Sequence, residues 1–125
     1  MILLDTSILI DHLRGQPEPG RLMREALLSG SMIAASVLTR VEILGAMRSA
    51  ERASVRATFS ALDWLPVTEQ VADRAGRLAR THRRSHGSID VVDYVIAATA
   101  QQHEADLWTR NIRHFPMFKG LTAPY

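Results

Sequence analysis

Four acidic residues have the types and settings that suit metal chemistry: Asp5, Glu42, Asp90 and Asp93. Each lies beside an apolar segment of the kind that forms a protein core. A carboxylate is rarely buried without a partner, and several at one point repel one another unless a cation neutralises them. Carboxylate oxygens are the ligands that Mg²⁺ and Mn²⁺ prefer. The sequence therefore predicts a metal-dependent enzyme.

The first candidate, Asp5, ends an apolar run and is followed by Thr6 and Ser7. At a junction between a strand and a helix, the carboxylate would bind metal and a hydroxyl would bind water or phosphate. The alternative is that Thr6 and Ser7 only cap the helix. Capping does not explain a carboxylate at the end of a strand, so we favour the functional interpretation.

The second candidate, Glu42, lies in an apolar helical segment. The alternative is an ordinary exposed residue on the polar face of an amphipathic helix. The predicted buried stripe of this helix consists of Val37, Leu38, Val41 and Leu44. Glu42 would lie beside that stripe and not opposite it, which favours a role at the site once Asp5 is also considered.

Asp90 and Asp93 are three residues apart and therefore share a helix face. Asp90 can be the N-cap, with Asp93 at the third helical position in a reciprocal capping box. Capping accounts for one carboxylate, but Asp93 opens the apolar segment 94–100. We therefore predict Asp93 as a metal ligand and give Asp90 a secondary role.

Composition limits the class of protein. The chain has 125 residues, which predicts one domain over residues 1–125. It has no cysteine, which excludes disulfides, zinc–thiolate sites and thiol nucleophiles, and fits the cytoplasmic location that we expect. No apolar run approaches the ~20 residues of a membrane span, and no signal peptide is predicted.

The basic residues are almost all arginine, with Lys119 the only lysine and a net charge of +2. Arginine presents a planar fork that suits phosphate, although a GC-rich genome explains the bias equally well. Arg77, Arg80 and Arg84 are predicted on one helical face, which is either a solvated surface or a phosphate-binding edge.

Periodicity and capping residues predict alternating strands and helices. Strands are predicted at residues 2–5, 32–35, 62–67 and 106–109, with a further edge strand at 121–125. Helices are predicted at residues 6–13, 21–29, 37–49, 50–61, 69–82 and 90–102, with a loop at 15–20. This order predicts a parallel sheet with helices on both faces, and sites lie at the carboxyl ends of such strands. Asp5 ends the first strand, and Asn111 follows the fourth.

Four segments occur in a specific order: residues 2–7 (Ile-Leu-Leu-Asp-Thr-Ser), 41–45 (Val-Glu-Ile-Leu-Gly), 93–100 (Asp-Tyr-Val-Ile-Ala-Ala-Thr-Ala) and 107–115 (Leu-Trp-Thr-Arg-Asn-Ile-Arg-His-Phe). Together they resemble the motifs of PIN domains, specifically the VapC-type ribonucleases of bacterial type II toxin–antitoxin systems. The resemblance covers essentially the whole chain. It implies a three-layer α/β/α sandwich around a parallel sheet of about four or five strands.

The resemblance also implies an activity, namely Mg²⁺- or Mn²⁺-dependent hydrolysis of phosphodiester bonds in structured cellular RNA such as tRNA or rRNA, leaving a 5′-phosphate. Asp5, Glu42 and Asp93 carry over as metal ligands. Asn111 stands at the family's fourth acidic position, and His114 stands where an acidic residue often precedes the phenylalanine. Asp90 can supply the missing negative charge and take a proton. Residues expected to position substrate or water are Thr6, Ser7, Thr109 and Arg110.

The partners implied by the resemblance are a VapB-type antitoxin, the RNA substrate and a second copy of the chain in a homodimer, which would join a larger toxin–antitoxin complex. The antitoxin would place a segment across the acidic groove, with an arginine among the carboxylates. No membrane partner is expected.

Two other interpretations stay open. Asn111 leaves room for a catalytically weak PIN-fold module that binds RNA or protein. The other is a metal-dependent phosphatase for small substrates, although the sequence has no Asp-x-Asp pair after the first strand that would support it.

Overall fold

A computed structural model describes all 125 residues. A parallel four-stranded sheet has the order β3-β2-β1-β4. Its strands are β1 (Ile2–Leu4), β2 (Ile33–Ser36), β3 (Asp63–Leu65) and β4 (Asp106–Trp108). The helices are α1 (Thr6–Leu13), α2 (Pro17–Leu28), α3 (Val37–Ala46), α4 (Arg52–Ser60), α5 (Glu69–His82) and α6 (Val91–Gln102), with 3-10 turns at Ser49–Glu51 and Ile112–His114.

The sheet is buried on both faces, as its apolar strands predict. Ile2 and Leu4 of β1 join a core with residues of α1 to α4 on one face. Leu3, whose side chain alternates to the other face, packs with Ile96 and Ala97 of α6. Helix α5 packs on α6 through a third cluster that includes Val71. The predicted three-layer α/β/α sandwich is confirmed.

Local signals set most of the helix boundaries. The Ser36 hydroxyl accepts from the Leu38 amide at 3.2 Å and caps α3. The Thr68 hydroxyl accepts from the Val71 amide at 3.1 Å and caps α5. Both caps agree with the sequence prediction. No helix of the structure is both long and apolar enough to span a membrane.

Three of the predicted elements are wrong. Helix α2 begins at Pro17, inside the loop predicted at 15–20, because proline is favoured at the first helical position. The helix predicted at 37–49 ends at Ala46, since the chain becomes extended at Met47. Residues 121–125 form no strand, so the sheet has four strands; Tyr125 packs against the apolar core instead.

The predicted buried stripe of α3 is also wrong. The helix buries Thr39 and Ile43, whereas Val41 is 67% and Leu44 is 46% exposed. Glu42 lies on this exposed part of the helix. The buried stripe therefore consists of Thr39 and Ile43. Glu42, three residues after Thr39, lies beside this stripe as predicted, and its carboxylate accepts from Thr6 of α1.

The parallel sheet brings the carboxyl ends of its strands to one edge. Asp5 follows β1 there, and Thr109 follows β4. Asp63 and Asp106 begin β3 and β4 and therefore lie at the opposite, amino edge. The candidate acidic motifs accordingly meet at the carboxyl edge, as the strand order requires.

Candidate active site

An open pocket of about 520 Å³ lies at the carboxyl edge of the sheet. It is lined mainly by polar and charged side chains. Eight residues predicted from the sequence line it: Asp5, Thr6, Ser7, Glu42, Asp90, Asp93, Arg110 and Asn111. The ninth, Thr109, is fully buried and bonds to Asp5 beneath the pocket. We call this the acidic pocket.

Asp5 is held by two hydroxyl groups from distant parts of the chain. Its Oδ2 atom accepts from Ser7 Oγ at 2.8 Å and from Thr109 Oγ1 at 2.7 Å. Its side chain makes no capping bond to α1, although Asp5 occupies the N-cap position. Both bonds end on Oδ2, which leaves Oδ1 for another ligand. The alternative that Thr6 and Ser7 are simply helix caps is therefore wrong.

Thr6 connects α1 to α3. Its hydroxyl donates to Glu42 Oε1 at 2.6 Å and lies 3.0 Å from the hydroxyl of Thr39. A hydroxyl has a single proton, so Thr39 must donate to Thr6 while Thr6 donates to Glu42. This relay fixes an otherwise exposed Glu42 at the pocket.

Asp90 and Asp93 form the predicted capping box. The Asp93 amide donates to Asp90 Oδ1 at 3.0 Å, and the Asp90 amide donates to Asp93 Oδ2 at 3.2 Å. Asp93 is buried, whereas Asp90 is exposed. The box uses one oxygen of each carboxylate and leaves the other available.

The pKa of Asp93 is raised to about 6, chiefly because burial disfavours its charged form. The hydrogen bond with the Asp90 backbone lowers this pKa, and the negative charge of Asp90 raises it. The smaller effects of His114 and Asp5 lower it and raise it, respectively. His114 Nδ1 lies 3.1 Å from Asp93 Oδ2. Burial, more than repulsion by the neighbouring carboxylates, is thus the main reason that Asp93 resists ionisation.

The donor set fits an oxygen-preferring divalent cation, because carboxylates and hydroxyls dominate the pocket and cysteine is absent. However, no group of three acidic or histidine side chains is close enough together to hold an ion. The carboxylates line one pocket without forming a preformed ligand cluster. The predicted metal-ligand role of Asp5, Glu42 and Asp93 therefore stays a prediction.

The segment that follows β4 is tied to the pocket through its backbone. The Asn111 amide donates to Thr109 Oγ1 at 2.9 Å, and the Arg110 amide donates to Ser7 Oγ at 3.1 Å. Thr109 therefore links Asp5 on one side to Asn111 on the other. The backbone at 110 and 111 is fixed relative to α1, with both side chains lining the pocket.

Sequence reasoning missed four residues that take part in this arrangement: Asp11, Arg14, Thr39 and His114. Helical spacing could have identified two of them, because Asp11 lies four residues after Ser7 and Thr39 lies three residues before Glu42, so each shares a helix face with a candidate. Arg14 had no comparable signal. His114 was noticed as a departure from an acidic motif, but its pairing with Asp93 depends on tertiary structure.

Replacing Thr109 with Val should weaken both the fold and the site. The change keeps the shape but removes the hydroxyl that donates to Asp5 and accepts from Asn111. Losing a buried bond of this kind costs about 1–3 kcal/mol, which lowers the melting temperature by about 5 °C. On the predicted role of Asp5 as a metal ligand, loss of a partner that orients it should cost ~10-fold or more in activity. Thermal unfolding and the rate of the RNA cleavage predicted from the sequence measure the two effects.

Thr99→Val is the matched control. Thr99 is equally buried, but its hydroxyl bonds only to Val95 O within its own helix. Its cleavage rate should stay at the wild-type value. Equal losses of cleavage in both variants would show that Thr109 has no particular role at the acidic pocket.

Comparison with known proteins assigns this chain to a family. The family model described as PIN domain matches residues 2–118. The chain is 53% identical over 125 residues to Ribonuclease VapC19 of Mycobacterium tuberculosis, and 100% of both chains is covered. It is 42% identical to Ribonuclease VapC10 of the same organism, with 100% of this chain and 93% of the relative covered.

A solved structure agrees with the sequence relatives. A toxin–antitoxin complex from Klebsiella pneumoniae contains a chain that superposes with a TM-score of 0.80 at 29% identity. The match covers 100% of this chain and 98% of that one. Similarity thus extends over the whole fold, including every segment that contributes to the acidic pocket.

Proposed function

This chain belongs to the PIN-domain family and is a relative of the VapC ribonucleases, and on that premise we propose that it is a VapC-type toxin with Mg²⁺- or Mn²⁺-dependent endoribonuclease activity. The observation that carries the proposal is the convergence of Asp5, Glu42 and Asp93 on one pocket from three separate parts of the chain. Structural ion pairs do not require such convergence. A metal-dependent site for phosphodiester hydrolysis does, because several ligands must surround one cation that lies against the phosphate.

In this proposal the three carboxylates hold the metal ion. When bound, Mg²⁺ or Mn²⁺ offsets the negative charge of the phosphate and makes the attacking water more acidic. Thr109 and Ser7 keep the Asp5 carboxylate in place, and Thr6 does the same for Glu42. These bonds orient the ligands before substrate binds.

The general base in this proposal is Asp90. Its side chain is exposed at the pocket, and only Oδ1 is used in the capping box. Oδ2 is therefore free to take the proton from water. Asn111 lines the same pocket and carries an amide that can donate to a phosphate oxygen or to water.

The proposed substrate is structured cellular RNA, with tRNA or rRNA as the first candidates and the cytoplasm as the place of action. A second groove, lined by Ser88, Ile112 and Arg113, shares Arg110, Asn111 and His114 with the acidic pocket. It adds positive charge next to the carboxylates, which suits the phosphates that flank a cleavage site. Unpaired loops are the expected targets, because proteins reach bases mainly in single-stranded segments.

The proposed protein partner is a VapB-type antitoxin, since the similar Klebsiella pneumoniae structure is a toxin–antitoxin complex. An apolar groove of about 430 Å³ between α1 and α3 supports this, because it shares Ile10 and Arg14 with the acidic pocket. One peptide segment lying in this groove would also reach the carboxylates. An arginine in that segment would satisfy their charge without metal.

A homodimer is also part of the proposal. Helix α3 exposes Val41 and Leu44, and α2 ends with Leu28 at 88% exposure. Val41 and Leu44 are three residues apart on one face of α3, and neighbouring exposed apolar side chains of this kind suit contact with a second copy. The same dimer would present two antitoxin grooves to a larger toxin–antitoxin complex.

The function is tested by incubating metal-stripped protein, free of antitoxin, with a pool of structured RNAs in the presence or absence of Mg²⁺ or Mn²⁺. Sequencing of the 5′-phosphorylated ends identifies any cuts. The proposal predicts discrete cuts that require the metal. Absence of cuts from folded protein, or cuts that persist in excess chelator, would contradict it.

A second candidate function is a catalytically weak module that binds RNA or protein. Asn111, in place of the family's fourth acidic residue, and the lack of a preformed ligand cluster favour it. The two candidates separate in the experiment above, because a binding module retains RNA without producing new 5′ ends.

Asn111→Asp should lower the metal concentration needed for half-maximal cleavage by about three- to tenfold, since an added carboxylate increases the charge that attracts the cation. Asn111 is exposed, so the fold should tolerate the change. Cleavage measured across a Mn²⁺ titration gives the result. Asn111→Ala is the comparison and should not show the gain; an unchanged titration for Asn111→Asp would exclude this position from the metal site.

A further inference from the structure

Arg110 occupies the border between the acidic pocket and the groove that contains Arg113, and its side chain lines both. Its charge is not neutralised by a carboxylate, because the only ion pairs of the structure join Arg21 to Glu25 and His114 to Asp93. The Arg110 backbone is fixed by its bond to Ser7, but the side chain is exposed. Neither the backbone bond nor an ion pair therefore restricts the guanidinium.

The Arg110 guanidinium is restricted by contact with Tyr125. The guanidinium carbon of Arg110 lies 4.8 Å from the centroid of the Tyr125 ring, within the range of a cation–π contact. The Tyr125 hydroxyl donates to Asp11 Oδ2 at 2.7 Å. Asp11 lies on α1 one turn after Ser7, which holds the Arg110 backbone. Helix α1 thus holds the Arg110 backbone through Ser7 and the ring that contacts the Arg110 guanidinium through Asp11.

The hydroxyl of Tyr125 remains a donor over the working range of pH. Burial raises its pKa above the usual value, and the bond to Asp11 and the charge of Asp11 raise it further, while Arg110 opposes the shift. Tyr125 also packs against the core cluster that contains Ile8 and Leu9. The ring is therefore held by the Asp11 bond and by packing on the core before any ligand arrives.

We propose that Tyr125 is a positioning residue that holds the Arg110 guanidinium at the rim of the acidic pocket, where it contacts an RNA phosphate beside the one that is cleaved. This inference rests on the proposed function. An exposed arginine loses rotamer freedom when it binds, and prior stacking on a fixed ring reduces that loss. A flanking phosphate is contacted equally before and during the reaction, so the contact acts on KM and not on kcat.

Kinetics on a defined RNA substrate test the proposal. Arg110→Ala and Tyr125→Leu should each raise KM by about five- to tenfold and keep kcat within about twofold. The double variant should be no worse than Arg110→Ala alone, because Tyr125 acts through Arg110. Loss of one phosphate contact should also reduce the slope of the logarithm of the RNA-binding constant against the logarithm of the salt concentration by about 0.7. Tyr125→Phe keeps the ring, loses the Asp11 bond and should give an intermediate KM.

The charge-matched control is Arg21→Ala. Arg21 lies on α2 in an exposed pair with Glu25 and lines neither groove, so its loss should leave KM unchanged. A further rise in KM when Tyr125→Leu is added to Arg110→Ala would overturn the proposal. So would a fall in kcat at unchanged KM, because either result would show that Tyr125 does not act by positioning Arg110 for substrate binding.

An independent readout separates this inference from the proposed function. The NMR resonance of the Arg110 side-chain Nε–Hε group should be shifted by the Tyr125 ring current and should move in Tyr125→Leu. If the wild-type chain does not cleave RNA, the proposed activity fails. The positioning role of Tyr125 is then tested by comparing how tightly wild type and the same variants bind a fluorescent single-stranded RNA. A resonance that stays in place, or equal RNA binding by wild type and Tyr125→Leu, would overturn it.

Discussion

Asp5→Asn is expected to reduce RNA cleavage by more than about a hundredfold while the protein stays folded. Removing an outer partner of a metal ligand typically costs about 10–100-fold, and loss of the ligand's own charge must cost more. Asn keeps an oxygen that can accept from Ser7 and Thr109, so the hydroxyl network around this position survives. Initial cleavage rates on one defined RNA at saturating Mn²⁺ measure the loss.

The control for this substitution is Asp106→Asn. Asp106 begins β4 at the amino edge of the same sheet, is exposed, and carries the same charge. Its replacement should leave the cleavage rate unchanged. If Asp5→Asn retains more than about a tenth of the wild-type rate, or if Asp106→Asn loses as much, the carboxyl edge is not the catalytic edge.

Asp93→Asn is expected to abolish cleavage and at the same time to stabilise the metal-free protein at neutral pH. The pKa of Asp93 is about 6 in the fold against an ordinary 3.8, chiefly because of burial. Between these values the folded state binds more protons than the unfolded state, so stability falls as pH rises through this window. Asn carries no charge and avoids that cost, which is about 1–2 kcal/mol once partial hydration is allowed for.

Thermal unfolding in chelator across pH 4 to 8 measures this effect. The melting temperature of Asp93→Asn should exceed that of wild type by about 5 °C at pH 8 and by little at pH 4. Added Mn²⁺ should stabilise wild type and not the variant, since binding to the folded state adds stability. A variant that is less stable than wild type at pH 8, or equally stabilised at both pH values, would contradict the account.

These opposite effects on activity and stability follow from the same physical cause. A carboxylate that must bind a cation is held in surroundings that penalise its charge when the cation is removed. His114 offsets part of that penalty through its contact with Asp93. If the proposed metal binds here, the acidic pocket is a place where the fold gives up stability for binding.

The position of the acidic pocket was predictable from the sequence because it depends on residue types and strand order. Asp5 had to lie at the end of β1, and parallel pairing had to bring Thr109 to the same edge. The capping box of Asp90 and Asp93 was likewise a local pattern with a known spacing. Each of these inferences needed only neighbouring residues and a parallel sheet.

The details that sequence could not give depend on contacts between distant segments. The relay from Thr39 through Thr6 to Glu42 requires the packing of α1 against α3. The exposed face of α3 could not be distinguished from a buried one, because both carry apolar residues such as Val41. Tyr125 was predicted in a strand, but its partner Asp11 lies 114 positions earlier in the chain.

The central claim is that the acidic pocket binds the divalent cation used in RNA hydrolysis, and anomalous diffraction from crystals soaked in Mn²⁺ tests it most directly. The account predicts an anomalous peak in the pocket, in contact with Asp5 and Asp93, that is absent from crystals of Asp5→Asn grown and soaked in the same way. Glu42 is expected to complete the ligand set. A peak bound elsewhere on the chain, or no peak at a Mn²⁺ concentration that supports cleavage in solution, would contradict the claim.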